Sequence, residues 1–298
     1  MSQESRTGEA RLLQTRQLAI VIAISVGTLL VEVAGGLLSG SLALLSDAGH
    51  VLTDLLALVL SLMAVRFASL PATPAKTYGY HRLEILTALL NGTLLVAMSA
   101  AILYKAVRRF FDPVPIESSL MLVVALFGLL ANLAGVFLLS RAPQTINLRG
   151  ARMHVIADAL SSVGVLVAGG VIALTGWERL DAIVGGVIAL VVAAGSLQLV
   201  REAVDVLLEA TPAGIDLDLV SRAIATVPGV VEVHDLHIWS ITTGLPALSG
   251  HVRLDDSHPE TSDEMLNRIK QTVRDRFGIV HTTIQFESCA YQELGDVH

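Results

Sequence analysis

"LLSDAGHVLTDLLALVLSL", residues 44–62, has the composition of a membrane-spanning helix, yet it carries Asp47, His50 and Asp54. A charged side chain at the centre of a bilayer costs at least about 2.5 kcal/mol, so three ionisable groups in one span need a physical reason. Their spacing of i, i+3 and i+7 places all three on one helical face. A second stretch, "ARMHVIADALSS" (151–162), holds His154 and Asp158 at i, i+4. Two spans therefore each carry a His-x3-Asp pair. If the pairs face one another, two imidazoles and two carboxylates converge inside the membrane. Such a set suits tetrahedral Zn2+. It falls short of the oxygen shell that Ca2+ takes and lacks the thiolates that Cu(I) prefers. A bound dication also explains how the carboxylates are tolerated in hydrocarbon. Asp47, nearer the helix end, reads either as an accessory ligand or as an interhelical hydrogen-bonding residue. Glu32 and Asn132, polar positions in two other spans, read as packing and interhelical hydrogen-bonding groups.

Outward from these two stretches, the chain of 298 residues is 53% hydrophobic with mean hydropathy +0.67, too apolar for an ordinary soluble domain. Six segments have the roughly 20 apolar residues a span requires: 17–38, 41–66, 83–107, 118–141, 151–175 and 180–207. Residues 1–16 form a polar N-terminal segment, 17–207 a six-helix transmembrane domain, and 208–298 a small domain of soluble character. Of the 14 Lys and Arg in residues 1–207, ten fall on the side that also holds both termini and four on the other. The positive-inside rule then puts both termini in the cytoplasm. No A-x-A-like site follows the first apolar run, so no removed signal peptide is expected.

The net charge of −7 resides entirely in the tail: residues 1–207 sum to +1 and residues 208–298 to −8. An acidic domain of this kind is a poor partner for nucleic acid and an attractive one for cations. Cys289 is the only cysteine, which excludes an intrachain disulfide and a thiolate cluster. There is no H-E-x-x-H, and four candidate ligands leave no open metal position, so a membrane metalloenzyme is not expected. Two other readings are a passive divalent-cation channel and a membrane metal sensor. A pore needs several weak sites along a path, whereas the ligands here are concentrated in one place. A sensor needs an output domain, and none is recognisable.

Four stretches together resemble the cation diffusion facilitator family: "SLALLSDAGHVLTD" (41–54), "YGYHRLEIL" (78–86), "HVIADALSSVGV" (154–165) and "HDLHIWSITTG" (234–244). The resemblance covers residues 17–288. It is strongest to the bacterial zinc/cobalt/cadmium-resistance efflux branch and extends to vertebrate zinc transporters. It implies six membrane helices with a cytoplasmic domain, a homodimer in the bacterial inner membrane, and exchange of divalent metal for protons. It also implies a transport site on His50, Asp54, His154 and Asp158. A His at the first of these positions goes with preference for zinc over cadmium. Zn2+ is the expected cargo and a candidate regulator, with cobalt or cadmium as further cargo. The loop between spans four and five has no His, unlike that of many relatives, so metal delivery through it is not expected.

The tail is expected as helix 216–227, strand 230–241, strand 246–254, helix 260–277 and strand 279–287. This α-β-β-α-β order gives a ferredoxin-like α+β domain with helices on one face of an antiparallel sheet. Alternation collects His234, His251, His281, Gln285 and Glu287 on the other face. The resemblance carries a cytoplasmic metal site onto His234, His251 and Glu287, with Gln285 nearby. His81, in the loop after span two, belongs to a stretch that in related proteins forms an interfacial metal site. Alone it cannot hold zinc, and it would need a partner from the tail.

Overall fold

The structure, a computed structural model, describes residues 3–68, 72–140, 146–242, 244–255 and 261–291; for residues 3–19, 54, 57–68, 139 and 146–154 it describes the backbone only. Six long helices come first: α1 (Gln3–Ser39), α2 (Leu42–Ala68), α3 (Arg82–Phe111), α4 (Ser118–Ser140), α5 (Ile146–Thr175) and α6 (Arg179–Leu207). Five of them are long and apolar enough over their described residues to cross a membrane. In α2 the described residues form a shorter apolar stretch, Leu42–Thr53. The expected boundaries differ mainly at α1, whose helix runs back to Gln3 through the segment read as a separate polar terminus. That segment, "QESRTGEARLLQTRQ", is dominated by strong helix formers.

By contacts the chain divides into two compact units, residues 1–61 with 90–199, and residues 62–89 with 200–298. In the first unit, Ala43 and Leu44 of α2, Met121, Val124 and Ala125 of α4, and Val165, Ala168 and Ile172 of α5 form a buried core. The outward surface is apolar too, with Leu174 89% and Leu38 76% exposed. Such a surface is stable facing lipid, because a helix satisfies its own backbone. Helices α1 and α2 turn at Gly40, whose φ of 72° is open to glycine at no steric cost.

Asp181, in the first turn of α6, fastens the start of α2. Its buried carboxylate accepts from the Ser41 hydroxyl (2.5 Å) and from the backbone N–H groups of Leu42 (2.6 Å) and Ala43 (3.0 Å). Those two N–H groups are among the four that a helix start leaves without an internal partner. Arg109 of α3 lies 3.9 Å from the same carboxylate and donates to the Gly40 carbonyl. Gly185, one turn further along α6, lets the α2 backbone come close: a Cβ there would stand 3.0 Å from the Ala43 nitrogen.

The second unit contains the α+β domain: α7 (Leu217–Ala225), β1 (Val230–Thr242), β2 (Leu245–Leu254), α8 (Ser262–Phe277) and β3 (His281–Glu287). Its core joins Val220 and Ile224 of α7, Ile238, Leu248 and Val252 of the sheet, and Met265, Ile269 and Val273 of α8. The sheet order is β1-β2-β3, with β1–β2 antiparallel and β2–β3 parallel. The expectation of an all-antiparallel sheet is thus corrected. Helix α8 is a crossover between β2 and β3, and such a crossover returns the chain in the same direction. Asp216 caps α7 by accepting from Leu219 N–H. A Thr261/Glu264 capping box starts α8, and Gly278 at φ 71° ends it.

Candidate metal centres

In the first unit, α2 and α5 bring His50 and Asp158 together: His50 Nε2 lies 3.6 Å from Asp158 Oδ1. The Asp158 side chain is nearly buried at 7% exposure, and that of His50 is 26% exposed. The pair is thus partly open on the His50 side. The other two expected ligands, Asp54 and His154, are placed on α2 and α5 by the backbone, and their side chains lie outside the described residues.

Asp47 turns to a different set of partners. Ser161 donates to its Oδ1 at 2.5 Å and Ser162 to its Oδ2 at 3.5 Å, both from the α5 turn that follows Asp158. Asn132 of α4 donates in turn to the Ser162 hydroxyl (3.3 Å). A polar chain therefore links α4, α5 and α2 one turn from the His50–Asp158 pair. It fixes the rotation of α2 against α5, which is what aligns His50 with Asp158. The two serines sit in "DALSSVGV" (158–165), and nothing in a single sequence distinguished them from packing residues. Glu32 of α1 is also buried, at 1% exposure, and lies over Gly128 of α4. A Cβ at position 128 would come within 2.7 Å of Glu32 Oε1. This glycine is therefore the space that admits the carboxylate.

The α+β domain holds a second cluster. Strand register places His234 of β1 opposite His251 of β2, and His251 beside Gln285 of β3. Glu287 Oε2 lies 3.2 Å from His234 Nε2, and Glu287 Oε1 lies 3.1 Å from His251 Nδ1. The Gln285 amide donates to Glu287 Oε1 at 3.1 Å. One ligand atom from each of His234, His251 and Glu287 falls within 4.8 Å of the others, close enough to share one ion. The Glu287 side chain is 1% exposed. A carboxylate so buried is costly unless it is paired, and two imidazoles with one carboxylate are an N/O donor set that Zn2+ accepts. The residues present therefore fit a divalent ion.

Asp235 flanks this cluster and was not foreseen. It adopts a left-handed backbone, φ 46°, at the register shift between His234 and His237. Its Oδ2 is 3.7 Å from His251 Nε2 and its Oδ1 is 2.9 Å from His237 Nε2. A bulge of this kind re-aims side chains, and alternation alone does not reveal it.

His281 departs from the expected face cluster. It opens β3, pairs with Ala247, and packs edge-on against Tyr78 at 5.6 Å between ring centres. Glu287 lies six positions further along the strand, roughly 20 Å away at about 3.3 Å per residue. Instead, His281 and His81 line one cavity of about 380 Å³, together with Tyr78, Gly79, Ile241 and Val280. His81 and His281 thus share one cavity wall, and among the described residues the group able to hold a metal contains neither of them.

Comparisons with known proteins cover nearly the whole chain. A family model described as cation efflux transmembrane domain matches residues 18–208, and one described as cation efflux protein, cytoplasmic domain, matches residues 212–289. The chain is 41% identical over 273 residues to the metal cation efflux system protein CzcD of Cupriavidus metallidurans, covering 91% of this chain and 86% of that protein. It is 39% identical over 269 residues to the cadmium, cobalt and zinc/H(+)-K(+) antiporter of Bacillus subtilis, covering 89% and 86%. It is 38% identical over 275 residues to the zinc transporter ZitB of Escherichia coli, covering 91% and 87%. Among solved structures, the metal-bound C-terminal domain of the Cupriavidus CzcD transporter aligns at 44% identity, covering 24% of this chain and 99% of that one, with a TM-score of 0.22.

Proposed function

The chain belongs to the cation efflux family, the cation diffusion facilitators, and on that premise we propose that it is a proton-coupled antiporter exporting Zn2+ from the cytoplasm. The cargo is held by His50 and Asp54 of α2 and His154 and Asp158 of α5. The observation that carries this reading is the approach of His50 Nε2 to Asp158 Oδ1 across two helices, at 3.6 Å. Imidazole and carboxyl groups must shed protons to bind a metal. Protons entering from the far side then compete the ion off. His50 and His154 are the proposed proton-exchange groups. Two packings of the helix bundle, open inward and open outward, complete the cycle.

The α+β domain is read as a cytoplasmic metal-binding and dimerisation module. His234, His251 and Glu287 would hold a Zn2+ ion there, whose charge would offset the buried carboxylate. Supporting this is the 4.8 Å grouping of their ligand atoms. With this domain in the cytoplasm, both termini lie there and six helices span the inner membrane. Relatives named for cadmium, cobalt and zinc support Co2+ and Cd2+ as further candidate cargo.

The test is transport into proteoliposomes of Zn2+, Co2+ and Cd2+ separately, each with and without an imposed pH gradient. Zn2+ flux that follows the gradient supports an antiporter. Flux indifferent to the gradient would favour a channel.

A further inference from the structure

Two rows of side chains cross the metal-bearing face of the sheet. One row runs His234–His251–Gln285. The next, two residues along, runs Glu232–Arg253–Glu287. Arg253 on the central strand therefore stands between two carboxylates, one on each neighbouring strand. Directly opposed side chains in a sheet are about 5 Å apart at Cβ, within reach of a guanidinium. Arg253 uses only one of them. Its Nη1 donates to Glu232 Oε2, while among the described residues it makes no ion pair with Glu287 and its buried Nε–H has no hydrogen-bond partner. Glu287 turns to His234 and His251 instead.

The choice runs against simple electrostatics. Glu287 is the buried carboxylate, with its side chain 1% exposed, and Glu232 is half exposed at 50%. A guanidinium–carboxylate pair is stronger where water is excluded. Bound to Glu287, the guanidinium would occupy the oxygen that a metal requires and set a positive charge beside the ion.

We propose that Glu232 is a positioning residue for the tail metal site: it holds Arg253 away from Glu287 and so keeps that carboxylate available to a divalent cation. The inference rests on the reading of His234, His251 and Glu287 as a metal site. On this view the affinity of the site is set by a residue that never touches the ion. Glu232→Gln releases Arg253 to pair with Glu287. Partners that orient metal ligands typically change affinity by about tenfold or more, and about tenfold weaker Zn2+ binding is expected. Arg253→Gln binds at least as tightly as the parent. The double variant Glu232→Gln/Arg253→Gln returns to the affinity of Arg253→Gln, because no competitor remains.

The experiment measures Zn2+ binding by competition with a chromophoric chelator on the full-length detergent-solubilised protein, in an Asp158→Ala background that removes the transport site. His251→Ala reports on the underlying reading: if it binds Zn2+ as the parent does, there is no tail site at these residues. If His251→Ala loses binding but Glu232→Gln does not weaken it, the tail site stands and the role of Glu232 is overturned. If Glu232→Gln weakens binding and the double variant stays equally weak, Glu232 acts on the site or the fold directly, and the competition with Arg253 is overturned. Recovery in the double variant is an outcome that a merely destabilising substitution does not give.

Discussion

Asp158 and Asp181 are both buried carboxylates in the helical unit, at 5% and 1% exposure, and they do different work. Asp158 faces a partly open imidazole. Its replacement by Ala is expected to remove transport while leaving the protein folded in the membrane. His50→Asp is expected to admit more Cd2+ relative to Zn2+, since a third carboxylate changes the charge and geometry by which the site discriminates. Competition of the two metals for transport measures this, and an unchanged ratio would place selectivity elsewhere. Asp181→Ala should instead cost stability. It strips acceptors from Ser41, Leu42 and Ala43 and a carboxylate from Arg109. Unmet buried donors cost about 1–3 kcal/mol each, so a clear fall in Tm in detergent is expected, and an unshifted Tm would contradict the clamp. The sequence announced Asp158 through its spacing from His154. Asp181 gave no such sign, because its partner Ser41 is 140 residues away and a carboxylate in a first helical turn is common there.

Elements were legible to the degree that their causes are local. Helix α8 shows it best: Thr261 accepts from Glu264 N–H, Glu264 accepts from Thr261 N–H, and both residues are readable as a capping box. The backbone N–H of Thr261, then its hydroxyl, hold the Glu264 carboxyl below its ordinary range. A depressed folded-state pKa contributes stability above the unfolded value, and that contribution is lost as pH falls through the folded one. Amide exchange in the first turn of α8 should therefore accelerate below the ordinary Glu range, and Glu264→Gln should flatten that response. An equal pH response in both proteins would show that the box does not act through this charge. Non-local features were not legible. The parallel pairing of β3 follows from α8 crossing the sheet, and the bulge at Asp235 follows from register. The apolar alternation along each strand is the same with either pairing. Gly185 is similar: only the approach of α2 shows why a side chain is excluded, and Gly185→Val should push α2 from α6, cost the roughly 1–3 kcal/mol of an overpacked contact and so lower Tm.

At the scale of the whole molecule, the division of charge matters most, with −8 carried by residues 208–298. In a dimer two such domains repel. Unit charges about 10 Å apart in water cost only about 0.4 kcal/mol per pair before screening, but many pairs act together. Zn2+ on His234, His251 and Glu287 would lower that repulsion, and the tails are expected to draw together. A distance probe on the tails of the full-length dimer, read with and without Zn2+, checks this; separation that does not respond would leave the tail a dimerisation module alone. The proposed metal site between α2 and α5 exchanges cargo for protons, and the decisive experiment is Zn2+ flux into proteoliposomes under an imposed pH gradient, with Asp158→Ala compared with the wild type at equal incorporation. Gradient-driven flux is expected in the wild type and background flux in the variant. Wild-type flux through a well-folded Asp158→Ala protein would contradict it.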